Sequence, residues 1–344
     1  MKYISERIQL FNLNFYNLCK MRDLLILLCH YPWDEKNKET LLKLIREVED
    51  WDKLGRLINA HGIIALAAYN IKEAGLEKSV PPSSMSFLEN GLMKSFSRNT
   101  WLRERWKEVD KILSSAGIKH VLLKGMALEY SLYGAKGLRQ MTDNDIYIDP
   151  ASAKAAWDLL KQKGYTSEPY KSPLYNKIKP YPGKHLPTLY KQGYAVEIHA
   201  YLSDNKAADE RVSDMAIEIK IDERKAYIPD KETHLRFLIQ HFNHHVLSGE
   251  GQLRLYSDIN LLGGPDAITY PEKFILNPIQ KPSSRFHKAS YKKTFKSIAP
   301  RYRLYFLLGD LFPSMAWMKK RYRCTGSKAI WRYPERLGKL LWII

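Results

Sequence analysis

KHVLLKGMALEYSLYGAKGLRQMTDNDIYID, residues 119–149, is the stretch whose reading decides the fold. It opens on the apolar run His120-Val121-Leu122-Leu123, which reads as a short buried strand. Lys124-Gly125 closes that strand. Ala127, Leu128, Ser131 and Leu132 then recur at helical spacing, which predicts a short helix over residues 126–133. Gly134-Ala135-Lys136-Gly137 is a turn cluster that breaks the helix. After Arg139, the β-branched and aromatic residues of 142–149 predict a second strand. Strand side chains alternate, so Asp143 and Asp145 share one face. Two carboxylates aimed together repel unless a cation sits between them or one takes a proton. Mg²⁺ prefers a few carboxylate oxygens completed by water and substrate phosphates, and such a pair suits it.

A strand that ends in glycine and feeds a helix presents free backbone N–H groups, a natural seat for phosphate. A phosphate seat and a divalent-metal pair in one unit point to nucleotidyl transfer. The unit resembles the core of the nucleotidyltransferase superfamily that includes DNA polymerase beta. More closely it is similar to a family of bacterial nucleotidyltransferases of unassigned substrate, whose pattern runs Leu-Lys-Gly, a helix, an arginine, then Asp-x-Asp within a strand. The matching residues are Leu123-Lys124-Gly125, Arg139 and Asp143-Asn144-Asp145. The wider superfamily carries Gly-Ser where this chain has Gly125-Met126, and Lys124 could replace the serine's phosphate contact with a full charge. The likeness covers roughly residues 40–262 in layout, with its specific residues in 122–148 and 196–199. It implies an α+β fold: a polymerase-beta-like nucleotidyltransferase core, a small mixed sheet with flanking helices, between helical N- and C-terminal regions.

In chain order, residues 4–31, 39–60, 61–74 and 85–116 read as helices, Gly75 closing the third and Gly117 the fourth. Residues 1–117 are therefore expected to be a helical N-terminal region, 118–230 the nucleotidyltransferase core and 231–344 a helical, basic C-terminal region. After the motif, Pro150 starts a helix over 151–163 that Gly164 ends. Residues 165–184 have no period and read as an exposed loop. Strands are expected at 186–191 and 194–202, joined by a Gln192-Gly193 hairpin turn, with a last short strand at 225–228. Helices follow at 231–247 and 253–262. Residues 265–300, rich in Pro and Lys, read as irregular, and 301–323 and 330–341 as amphipathic helices.

In the strand Ala195-Val196-Glu197-Ile198-His199, Val196 and Ile198 share one face, Glu197 and His199 the other. A lone strand glutamate can be a solvated edge residue. The resemblance instead implies that Glu197 is a third metal carboxylate, since the superfamily takes one from a later strand and the closer family shows Glu-x-His there. On that footing Asp143 and Asp145 hold two Mg²⁺ ions, Glu197 binds the ion beside the acceptor hydroxyl, and Lys124, Gly125 and Arg139 bind the NTP phosphates. His199 could orient a carboxylate, touch the acceptor or serve as structural support. The non-catalytic readings of the same residues are a turn cap for Asp143, an ion pair of Asp145 with Arg139, and a plain strand exit at Lys124-Gly125. His241 and His245 lie one helical turn apart, but no Glu sits between them and no third ligand is evident, so no metal is assigned to them. Asp258 is expected to make a structural contact.

The 344 residues are 45% hydrophobic and carry a net charge of +18, of which residues 271–344 supply most: 17 Lys/Arg against Glu272, Asp310 and Glu335. Such a region can bind nucleic acid, anionic headgroups or a phosphorylated substrate, or be a solvated helical surface. No apolar run reaches bilayer length, the N-terminal residues do not read as a basic-then-apolar signal segment with a small-residue cleavage site, and Cys19, Cys29 and Cys324 form neither a disulfide framework nor a metal spacing. A soluble protein of the cytoplasm is expected. The leading expectation is an Mg²⁺-dependent transfer of a nucleoside monophosphate from an NTP to a hydroxyl on a small molecule, sugar or protein. A toxin-like nucleotidyltransferase acting on tRNA is the second reading. Those toxins usually show Gly-Gly-Thr before Ala-Leu, where this chain has Lys-Gly-Met before Ala127-Leu128. The third is a nucleotide- or RNA-binding module without turnover.

Overall fold

The structure is a computed structural model that describes residues 19–167, 171–178, 184–203, 209, 211–263, 268–280 and 284–343. Compactness divides the chain into two units that interleave in sequence. Unit 1 takes residues 1–103, 124–142 and 231–281, and unit 2 takes 104–123, 143–230 and 282–344.

Unit 1 is helical. Its described elements are α1 (residues 19–28), α2 (Lys38–Arg46), α3 (Trp51–Ala60), α4 (Ile64–Glu73), the first part of α5 (Pro82–Ser115) and α6 (Lys124–Ser131). Residues 4–18 of the first expected helix lie outside the described residues. The helix expected over 39–60 is two helices. Asp50, extended at φ −126°, accepts from the Lys53 N–H and caps a new start, a side-chain preference that the apolar spacing across 45–51 conceals. Leu41, Ile45, Leu54, Ile58, Ile64 and Ile71 share one core with Phe242 and Phe274. Asn70, fully buried, donates to the carbonyls of Leu27, Leu28 and His30 at the C-terminal end of α1, where a helix runs out of N–H partners for its last carbonyls. The next helix in the chain, α7 (Pro150–Gln162), belongs to unit 2, and unit 1 resumes with α8 (Lys231–Ser248) and α9 (Leu253–Leu261).

A buried ionic network runs through this unit. Arg139, 4% exposed, grips both oxygens of the fully buried Asp258 through Nε (2.7 and 2.8 Å) and Nη2 (2.7 Å). The Tyr133 hydroxyl donates to the same carboxylate at 3.1 Å, and Glu129 accepts the backbone N–H groups of Gly137 and Arg139. Burial works against the Arg139 charge, but Asp258, together with Tyr133 and Glu129, more than offsets it and raises the guanidinium pKa; burial pushes the Glu129 carboxyl up. Three side chains of α5 fix the backbone that follows. Ser95 donates to the Gly137 carbonyl (2.6 Å), Asn99 to that of Arg139 (2.9 Å) and Arg98 to that of Thr142 (2.7 Å). Gly137 is obligatory there: its φ is +76°, and a Cβ would stand 2.6 Å from the Phe96 Cα.

Unit 2 holds the sheet, so the α+β fold with a small mixed sheet and flanking helices is as expected. Its strands are β1 (Val121–Leu122), β2 (Asn144–Tyr147), β3 (Thr166–Ser167), β4 (Leu189–Lys191) and β5 (Tyr194–His199), in spatial order β1-β2-β5-β4-β3. Only β2 and β5 are parallel. The turn between β4 and β5 places Gln192 at φ +50° and Gly193 at φ +79°, the doubly left-handed pair whose twist suits a two-residue hairpin. α7 packs against β4 and β5, and the Trp157 indole donates to the Pro187 carbonyl at 2.8 Å. A second sheet, β6 (Ile217–Ile221) with β7 (Arg224–Ile228), supplies a partner strand where the sequence suggested only one. Residues 165–184 are not wholly loop: they contain β3 and a 3-10 turn over Pro173–Lys177, with Tyr165 and Tyr175 buried.

The C-terminal segment of unit 2 is α10 (Ser284–Ser297), α11 (Arg303–Leu311), α12 (Met315–Arg321) and α13 (Tyr333–Ile343). α10 overturns the expectation of irregular structure for 284–297, whereas the described residues 268–280 hold only a 3-10 turn at Glu272–Phe274: Tyr291, Phe295 and Ile298, at helical spacing, pack on Tyr175, Ile178 and Phe306. Pro313 splits the helix expected over 301–323, and Ser314 caps the second piece. Among the described residues no helix is long and apolar enough to cross a membrane.

Asp258→Ala strands the Arg139 charge in the interior, with an expected cost of about 3–5 kcal/mol in urea unfolding, and Arg139→Met/Asp258→Met recovers much of it. A loss below about 1 kcal/mol for the single variant rules out a structural role for the pair. His61, fully buried, meets the Ile275 carbonyl through Nε2 (2.8 Å) and the Leu253 N–H through Nδ1 (3.4 Å), an arrangement for the neutral imidazole. Burial pushes its pKa below the ordinary histidine value. The unfolded chain therefore binds the proton more readily, and this part of the stability, complete above about pH 6.5, is lost as the pH falls below it. His61→Gln should flatten that acid slope in unfolding midpoints; an unchanged slope would assign it to other groups.

Candidate metal-binding site

The candidate site is built by the single parallel pairing in the sheet. Its register sets Asp145 opposite Glu197 and Tyr147 opposite His199. Paired residues on neighbouring strands project to the same side, and His199 lies two residues beyond Glu197, so all three polar side chains share one face. The other face carries Ile146, Val196 and Ile198, all buried, which anchors the pairing and makes a one-residue slip costly.

The His199 Nε2 is 2.8 Å from the Asp145 Oδ1 and 3.8 Å from the Glu197 Oε2. Asp145 and His199 are each 5% exposed, while the Glu197 side chain is 23% exposed and faces an approach from solvent. The Thr188 hydroxyl donates to the Glu197 Oε1 at 3.0 Å and fixes that carboxylate's rotation. One potential ligand atom from each of Asp145, Glu197 and His199 lies within 4.8 Å of the others. Two carboxylates and an imidazole, converging from paired strands, fit one divalent cation: the oxygens suit Mg²⁺ or Mn²⁺, and the imidazole nitrogen favours the transition ion. The His199 Nε2–H donates to Asp145 and limits that carboxylate's rotation; the same nitrogen takes a cation only by giving up that hydrogen bond.

The remaining expected residues fall as follows. Asp143 immediately precedes β2, is half-buried, and does not belong to the group of three; His199 takes the third place. Burial, first of all, raises the Tyr194 phenol pKa, and the Asp143 carboxylate adds to the rise. The Asn144 amide donates to that phenol at 2.9 Å. Lys124 and Gly125 are not a linker ahead of the helix but its first two residues. Lys124, not the glycine, has the left-handed backbone, φ +43°, and its Nζ lies 5.8 Å from the centre of the Phe237 ring. A Cβ on Gly125 would meet the Met141 Cγ at 2.7 Å, so the missing side chain makes room for methionine within unit 1. Arg139, expected among the phosphate-binding residues, has its guanidinium engaged by Asp258 and by the Gln140 carbonyl (2.7 Å). Asp145 pairs with His199 and not with Arg139. The His241 and His245 rings lie 4.4 Å apart, His245 bonds Glu250 at 2.7 Å, and neither belongs to the cluster.

Thr188 was missed although its signal is in the chain. Counting back from the Gln192-Gly193 turn pairs Lys191 with Tyr194, Tyr190 with Ala195 and Leu189 with Val196; one more step brings Thr188 to Glu197.

A family model described as an uncharacterised nucleotidyltransferase matches residues 47–263. No curated protein matches the chain.

Saturating Mn²⁺ should raise the melting temperature by a few degrees, and Asp145→Asn or Glu197→Gln should remove the rise. Thr188→Val should weaken Mn²⁺ binding about 10-fold, the usual scale for losing a partner that orients a ligand. A rise that survives in both carboxylate variants would place the ion elsewhere.

Proposed function

The chain belongs to the uncharacterised nucleotidyltransferase family, and we propose that it transfers a nucleoside monophosphate from an NTP to a hydroxyl group of a small molecule, sugar or protein. The observation that carries this reading is the parallel register that sets Asp145 beside Glu197 with His199 on the same face. In this reaction the acceptor oxygen bonds to the α-phosphorus as its proton leaves, and the bond from that phosphorus to the pyrophosphate oxygen breaks. Little covalent help is needed; alignment and charge neutralisation carry the rate.

Asp145 and Glu197 would hold a divalent cation, with Asp143 as a further carboxylate at the head of β2. A bound Mg²⁺ neutralises phosphate charge and lowers the pKa of a coordinated hydroxyl. Glu197, more exposed than its two neighbours and held by Thr188, is assigned to the acceptor side, where a carboxylate oxygen can accept the hydroxyl proton. His199 is assigned as a positioning residue for Asp145. Lys124, which follows Leu123 in the chain, and the backbone at Gly125 are assigned to the triphosphate. Arg139 would act through Asp258, by holding the segment that leads into β2, and not by touching phosphate.

The test is transfer of label from each α-³²P NTP with Mg²⁺ into pools of RNA, protein and small metabolites, alongside pyrophosphate release. Wild type should label one pool. Asp145→Ala should lower transfer by a factor of about 10³ or more, comparable to losing a principal electrostatic group. Full turnover in Asp145→Ala would exclude this site, and Mg²⁺-dependent NTP binding without transfer to any pool would favour a binding module.

A further inference from the structure

We propose that the face formed by α12 and the 3-10 segment Gly326–Arg332 docks on an anionic phospholipid surface. Between Asp310 and Glu335 the chain has no acidic residue but six cations: Lys319, Lys320, Arg321, Arg323, Lys328 and Arg332. All six are exposed. Arg332 pairs with Glu335 at 2.9 Å, whereas Lys319, Arg323 and Lys328 meet no acidic side chain among the described residues.

The same segment shows large apolar side chains to solvent. Trp331 is 81% exposed and Ile330 is 53% exposed, flanked by Lys328 and Arg332. These exposures are built in. Ala329 is fully buried and docks the segment, so its two successors point outward from an anchored backbone. Met318 anchors α12 in the same way, the Ser314 hydroxyl accepts from the Trp317 N–H at 3.2 Å, and the Tyr333 hydroxyl donates to the Pro313 carbonyl at 2.5 Å. Beneath them the Ser314 N–H donates to the Lys171 carbonyl at 2.7 Å, and the buried Asp310 takes Lys171 and Tyr175 as partners.

A Trp-Ile pair ringed by cations matches the chemistry of a membrane boundary. Tryptophan settles at the headgroup level, and cations close to the surface gain from anionic lipid within a Debye length. The aliphatic neighbour decides against nucleic acid. Single-stranded RNA is held by flat faces on which bases stack, and Ile330 offers none, while insertion into acyl chains buries it.

The full-length protein is cosedimented with vesicles of phosphatidylcholine containing about a third phosphatidylglycerol, and with pure phosphatidylcholine vesicles, at low and high salt. Binding is expected to the anionic vesicles alone, and to fall with salt. Trp331→Ala should weaken it about 10-fold with an unchanged melting temperature, since the side chain is 81% exposed. Lys319→Glu/Arg323→Glu should weaken it at least about 10-fold. Binding indifferent to lipid charge or to either variant overturns the proposal. So does the absence of vesicle binding, and in that case binding of a single-stranded oligoribonucleotide that these variants abolish would assign the face to RNA.

Discussion

The parallel pairing of β2 with β5 is the constraint on which the candidate site depends. It is the one parallel contact in a sheet otherwise joined antiparallel, and its register sets a carboxylate against a carboxylate. Bare, that pairing would be repulsive. His199, two residues along β5, reaches Asp145 at 2.8 Å, and Thr188 takes Glu197 at 3.0 Å, so each carboxylate has its own donor. The apolar reverse face supplies the cohesion that the polar face lacks. A site of this kind belongs to the strands themselves, which hold ligand positions more tightly than loops do.

Unit 1 uses a different device. Its interior holds Glu129, Arg139 and Asp258, and their buried charges are tolerated because nearly every lone pair and N–H finds a partner. A buried pair of this kind adds little net stability over a well-packed apolar pair, but its loss is costly, and that asymmetry favours one conformation of the segment over others.

The parts of the fold legible in the sequence were those written in short-range signals. The Gln192-Gly193 turn, the β5 alternation and the long apolar stripe of α5 each state their geometry within a few residues. Breaks that rest on a single capping group, Asp50 or Ser314, were masked by apolar residues that continue the helical spacing across them. α10 was hidden because its lysines and flanking prolines outweighed three aromatic and aliphatic residues at helical spacing. The interleaving of the two units has no local signal, because compactness is decided by contacts between distant segments. The same holds within the site. Glu197 and His199 were readable as neighbours on one strand face, whereas the choice of His199 over Asp143 as the third member required the register. The partner of Arg139 lies 119 residues away, and no periodicity could have named it.

The three bonds from α5 to the carbonyls of Gly137, Arg139 and Thr142 carry one more consequence. A carbonyl belongs to the backbone and is the same whichever residue bears it. The path of residues 137–142 is thus encoded less in that segment than in Ser95, Arg98 and Asn99, on a helix some forty positions upstream. Substitution at the outward positions of the segment can drift while its course stays fixed. A single change on the helix would redirect it, and the information for the loop is inherited with a different element.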